Sequence, residues 1–166
     1  MPTPLPDPQL PVMGPPDRDE VIHITRGLKG AMQPEDGLTE LQTQVLCAIT
    51  ASMTGYDIDV EELDPIGPVD FATGLSGRDL RFRTEMVHAM DLGHMLLDTP
   101  DLAVADRVIE FATELSVATE PLQMARALAQ GSAQLVAADI DRSRYISSLD
   151  LSGFTPLQSE DDHVWA

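Results

Sequence analysis

Phe71-Ala72-Thr73-Gly74-Leu75-Ser76 and Phe111-Ala112-Thr113-Glu114-Leu115-Ser116 differ at one position. Each closes a similar passage: an apolar helical run, an acidic loop, then a second apolar run. The first loop carries Asp57, Asp59, Glu61 and Glu62; the second carries Asp98 and Asp101. A five-in-six match arises by chance on the order of one time in ten in a chain of ordinary composition. Its context adds to it. The helical stretch 38–53, its loop and the stretch 68–75 echo the stretch 79–97, its loop and the stretch 100–116. The register slips by about one residue, since Asp57 and Asp98 are 41 apart while the phenylalanines are 40 apart. The pattern predicts an all-α bundle of about five helices with a pseudo-duplicated helix–acidic loop–helix unit.

Outward from the repeat, local signals place the elements. Thr39 and Gln42 have the spacing of a capping box, which satisfies orphan amides at a helix start. The first helix is expected over 38–53, with Leu41, Val45, Ala48, Ile49, Ser52 and Met53 on one face. Gly55 ends it. Pro65 and Pro68 cannot sit deep in a helix, so a turn at 60–64 and a helix from about Pro68 to Leu75 are expected. The third helix spans about 79–97, with Phe82, Met86, Ala89, Gly93, Leu96 and Leu97 in a stripe. Thr99-Pro100 reads as the cap and first residue of the fourth, which buries Val104, Val108, Phe111, Ala112 and Leu115. Thr119-Glu120-Pro121 opens a fifth, running to about Tyr145 and lined by Leu122, Ala125, Leu128, Ala129, Ser132, Leu135 and Val136.

The flanks read differently. Prolines at 2, 4, 6, 8, 11, 15 and 16 keep the start of the chain from a regular hydrogen-bond ladder. A helix from Asp19 to about Lys29 is an open alternative, weakened by Gly27 and Gly30. The domain reading is a mostly disordered proline-rich arm over 1–35, a bundle over 36–146 and a flexible acidic tail over 147–166.

Composition bounds the function. The 166 residues fit one domain with tails. Hydrophobic residues make up 43% and aromatic residues 4%, which suits helix-on-helix packing. There are 28 acidic and 10 basic residues, for a net charge of −18. Such a chain repels phosphate backbones and anionic lipid, so nucleic-acid binding and membrane insertion are not expected. A divalent cation or a protein partner with a basic surface is the electrostatic complement. Cys47 is the only cysteine and reads as a buried small hydrophobe. With no signal-peptide pattern at the start, a cytoplasmic location is expected.

The run Gly55-Tyr56-Asp57-Ile58-Asp59-Val60-Glu61-Glu62-Leu63, entered from an apolar helix, resembles the helix–acidic turn–helix of the tellurite-resistance TerB-like domains. The similarity covers roughly 36–118. It implies an all-α bundle of two related halves and a metal site shared between loops, drawing here on Asp57, Asp59, Glu61 and Asp98. The family's usual Asp-Gly turn is absent, and Pro65 and Pro68 interrupt the following helix. Residues 100–145 are also similar to the helical region that precedes Coq4-like ubiquinone-biosynthesis regions in actinobacterial proteins. The Coq4-type His-Asp and downstream His motif is absent.

Other constellations are weaker. Oxygen donors alternate at Asp57, Asp59 and Glu61, as hard cations require, but Glu62 and Pro68 replace the glycine and glutamate of an EF-hand loop. Glu20–His23 and Glu85–His88 both read Glu-x-x-His, the spacing used in di-iron bundles, with Glu40, Glu110 and Glu114 as candidate further carboxylates. The second pair should face solvent. His88, Asp91 and His94 recur three apart and should spread around an exposed side. Arg78, Arg81 and Arg83 should pair with carboxylates. No nucleophile elbow, P-loop or dinucleotide fingerprint occurs. The expected function is a non-catalytic binding or scaffold module that binds a cation or a protein through its acidic loops or an exposed helix face. The alternative is an enzyme or enzyme accessory with an apolar pocket lined by Met86, Met90 and Met95.

Overall fold

The computed structural model of the chain describes residues 12–131, and among them it holds six helices and no strand. In order these are α1 (Arg18–Met32), α2 (Glu40–Thr54), α3 (Pro68–Gly74), α4 (Leu80–Met95), α5 (Leu102–Glu114) and α6 (Leu122–Ala129). The all-α class is as expected, with one helix more than the sequence suggests.

That extra helix is central. Asp17 caps α1, accepting the Glu20 amide at 2.9 Å, and Asp19, Glu20 and Lys29 sit at the ends that the helix dipole favours. Val21, Ile24, Thr25, Leu28, Ala31 and Met32 are buried, and α1 packs against α2, α3, α4 and α5. Residues 18–32 therefore belong to the bundle rather than to the arm. Gly27 lowers helix propensity by about 1 kcal/mol relative to alanine, yet it is where the Phe71 ring lies against the α1 backbone. Of the expected arm over 1–35, residues 1–11 lie outside the described residues, as does the expected acidic tail over 147–166.

The two copies of the repeat pack on each other. Phe71 of α3 and Phe111 of α5 have ring centroids 5.6 Å apart, tilted by 58°, with Leu75 and Leu115 buried beside them. Thr73 and Thr113 face outward and donate to the carbonyls of Val69 and Ile109, both at 2.8 Å. The N-caps of α2 and α4, Thr39 and Asp79, keep the 40-residue spacing of the phenylalanines. Thus α2 corresponds to α4, and α3 to the end of α5.

The copies diverge where the prolines lie. α5 has 13 residues and α3 only 7. Pro65 and Pro68 occupy the positions of Ala105 and Val108, which are helical in α5. Proline removes an amide bond and clashes with the preceding turn, so α3 starts at Pro68 and a loop replaces the turns before it. As a result α4 packs on α5, whereas α2 does not pack on α3.

The capping box at Thr39 and Gln42 forms as expected, and Gly55 ends α2 in the left-handed region at φ 72°. The buried face differs. Gln42, Leu46 and Thr50 point inward, while Leu41 and Ala48 are exposed and Val45 is half-buried. Polar groups turn the helix. Gln42 Nε2 donates to Met32 O at 2.8 Å and Gly93 O at 2.9 Å, tying the ends of α1 and α4 together. Thr50 meets the Thr25 hydroxyl at 3.2 Å. Cys47 is therefore exposed, not buried.

Two further starts are corrected. Asp101 rather than Thr99 caps α5, accepting from Ala103 and Val104 at 2.8 and 3.2 Å. α6 begins at Leu122 with no side-chain cap, and Gly131 turns the chain at φ 75°. The expected continuation to Tyr145 lies outside the described residues. The α5 face is buried throughout as read.

Candidate functional site

Where the cations go decides what surface is left. Arg26 Nε donates to Asp64 O at 2.8 Å. Lys29 Nζ donates to Val60 O, Glu61 O and Leu63 O at 2.9, 3.2 and 2.8 Å. Arg107 closes the end of α1 through Gly30 O and Gln33 O at 3.2 and 2.7 Å. Arg83 reaches Leu115 O at 2.6 Å. These four bind backbone carbonyls. Among the described residues the ion pairs are Arg78–Glu20, Arg81–Glu85 and Arg126–Asp106. Positive charge is thus absorbed by peptide oxygens and the excess carboxylates face water.

Among the described residues Arg78 is the one buried arginine or lysine, 5% exposed. It makes a bidentate pair with Glu20, both bonds at 2.6 Å, and its guanidinium lies 4.5 Å from the Phe82 ring centroid. Its Nη1 donates to Val12 O and Gly14 O, and the Val12 amide donates to Gly77 O at 2.8 Å. The hydrogen bond to Glu20 raises the guanidinium further above its ordinary value, against the opposing cost of burial. Arg78 fastens the chain ahead of α1 to the α3–α4 turn, so it is occupied as an internal staple. Arg83 bonds carbonyls rather than a carboxylate.

The first acidic loop is built from the inside out. Ile58 and Val60 are buried and anchor it. Lys29 draws its carbonyls toward α1, and the Asp59 carboxylate accepts the Glu61 amide at 3.0 Å. The side chains of Asp57, Asp59, Glu61 and Glu62 are left exposed. Asp57, Asp59 and Glu61 edge a cleft of about 470 Å³ whose other wall is α2, at Thr43 and Cys47. Asp98 is elsewhere. It lines a second cleft, of about 320 Å³, with Thr39, Glu40, Leu41, Gln44 and Leu96. The four expected metal ligands are therefore divided between two clefts. Among the described residues no group of three His, Cys, Asp or Glu is arranged to hold a metal ion. The loop's inward oxygens already have a cation, the Lys29 ammonium.

The Glu-x-x-His pairs do not converge on a ligand. Glu20 is held by Arg78. His23 Nε2 donates to Phe71 O at 3.1 Å and its ring stacks on Phe71. Glu85 and His88 face solvent as expected. Glu40, Glu110 and Glu114 are exposed. His88, Asp91 and His94 do not share an exposed side, because His94 is 1% exposed. His94 Nε2 accepts the Asp101 amide at 3.2 Å, and its Nδ1 is buried with no hydrogen-bond partner among the described residues. Burial pushes the Asp91 carboxyl up, against the opposing pull of His94 and His88. Of the three methionines read as a pocket lining, Met86 and Met90 lie in the core and Met95 is exposed; none lines either cleft.

The α2 surface carries a signal that sequence reasoning missed. After Glu40 the helix has no charged residue to its end at Thr54. Its outward positions include Leu41, Gln44, Cys47, Ala48 and Ala51. Leu41 is 48% exposed, and Leu96 of the neighbouring cleft wall adjoins it. An uncharged helix flank lies between two acidic clefts. The absence of charge was readable, but the helix rotation that turns it outward was not. Among the described residues no helix is long and apolar enough to cross a membrane. Comparison of the chain with protein-family models, with curated proteins and with solved structures found no significant match.

Proposed function

We propose that this chain is a non-catalytic binding module, of the kind its resemblance to TerB-like domains suggests, and that its ligand is a protein with a basic surface. The observation that carries the reading is the disposition of charge. Arg26, Lys29, Arg83 and Arg107 are bonded to backbone carbonyls, so the carboxylates of the first loop remain outward beside an open cleft. Carboxylates left in water attract a cationic partner over a Debye length of about 10 Å and speed its encounter. A free divalent ion is the poorer ligand, because the loop acids and Asp98 do not converge.

The test is calorimetric titration of the full chain with an oligolysine peptide, and separately with calcium, magnesium and zinc. Saturable peptide binding that weakens at least tenfold as salt rises is expected, with no metal binding in the micromolar range. Absence of peptide binding at low salt overturns the reading. Tight binding of one metal, lost in Asp57→Ala/Asp59→Ala, would replace it with the metal reading.

A further inference from the structure

The duplicated unit is closed in one copy and open in the other. In the second unit α4 is covered by α5 and α6, and Val87 on α4 is 1% exposed. The matching position on α2, 40 residues earlier, is Cys47, which is exposed. Asp91 is half-buried, and its counterpart Ala51 is exposed. The cause is local. Pro65 and Pro68 shorten α3, so the helix that would pack beside α2 is replaced by a loop pulled toward α1 by Lys29. What remains is the cleft between α2 and that loop.

We propose that this cleft seats an amphipathic helix of a partner protein, apolar on the side that meets α2 and rich in Lys or Arg along the edge that meets Asp57, Asp59 and Glu61. Two observations commit the occupant. The α4–α5 contact within this molecule shows that the corresponding surface of the repeat takes a helix. The rim chemistry decides the charge, since among the described residues the cleft is edged by three carboxylates and no cation. An uncharged centre with a charged rim is the anatomy of a protein interface, and an apolar helix face laid in a groove is a recurrent recognition mode. The α2 wall of the cleft, Thr43 and Cys47, is small and uncharged, which permits close approach, and Ala51 follows one turn after Cys47 on the same side.

The inference rests on the reading of the chain as a module for basic partners and narrows it to one surface. The test uses the full chain and its single thiol. An amphipathic Leu/Ala/Lys helix of about 18 residues, a scrambled peptide of the same composition and a Leu/Ala/Glu counterpart are titrated while Cys47 is modified by a disulfide reagent. The ordered Lys peptide should slow Cys47 modification and bind at least about tenfold more tightly than the scrambled one. Ala51→Arg should abolish that difference while leaving the circular dichroism of the free protein unchanged. Equal binding of ordered and scrambled peptides, with Cys47 unprotected, would overturn the helix seat yet leave the basic-partner reading standing. Failure of both Lys peptides removes both. Cys47 protection that rises with protein concentration alone would assign the cleft to a second copy. Binding that requires removal of residues 132–166 would assign it to the chain's own segment. Either outcome overturns the proposal.

Discussion

Gly74 is the one mismatch in the repeat, and its neighbour explains it. A Cβ at residue 74 would land on the His23 ring, which is stacked on Phe71 and bonded to its carbonyl. The counterpart Glu114 is exposed and meets no such wall. Making the repeat perfect should therefore be harmful in one direction only. Gly74→Glu is expected to destabilise the protein by about 1–3 kcal/mol through overpacking, measured by urea unfolding. Glu114→Gly should cost no more than about 1 kcal/mol, the loss of helix propensity at an exposed position. Equal costs would show that the His23 contact does not decide the residue.

At the scale of the element, the instructive helix is α2. Its apolar residues occur nearly all round, so periodicity alone does not choose a face. Hydrogen bonding chooses. Gln42 satisfies two carbonyls, on Met32 and Gly93, at the ends of two other helices, and it is fully buried. Burying glutamine rather than leucine is favourable here because its amide gives both oxygens a donor. Gln42→Leu should therefore destabilise the protein by about 2 kcal/mol or more despite the gain in apolar area. Thermal unfolding checks it; a neutral or stabilising effect would show that the pair of bonds does not hold the rotation. The same rotation exposes Cys47 and the uncharged flank on which the proposed interface rests.

The molecule as a whole carries a net charge of −18, and among the described residues four cations serve the backbone and three pair with carboxylates. Self-repulsion among outward carboxylates then opposes the compact state. Added sodium chloride, from low to physiological ionic strength and above, should screen it and raise the melting temperature by a few degrees, equivalent to about 1 kcal/mol. A fall with salt would mean that ion pairs such as Arg126–Asp106 outweigh the repulsion. Helix class, the capping box at Thr39, the stop at Gly55, the interruption at Pro65 and Pro68 and the buried stripe of α5 were legible in the sequence. Each depends on residues within a turn or two of one another. The location of α1 was less legible, since Gly27 lowers its propensity for a reason that lies on another helix.

The candidate site divides along the same line. The clustering of acidic residues after the first repeat helix, and the two prolines that follow them, can be read directly from the chain. So can the absence of charge on α2 after Glu40. The tertiary structure decided which way these groups point. Lys29 turns the loop's carbonyls in and its carboxylates out, Asp98 falls in another cleft, and α2 presents its flank to solvent. Caps, breakers and periodicity are interactions between near neighbours, so one strand of sequence contains both partners. The rotation of a helix and the meeting of two loops are decided by carbonyls and cations tens of residues away, which become partners only when the bundle closes.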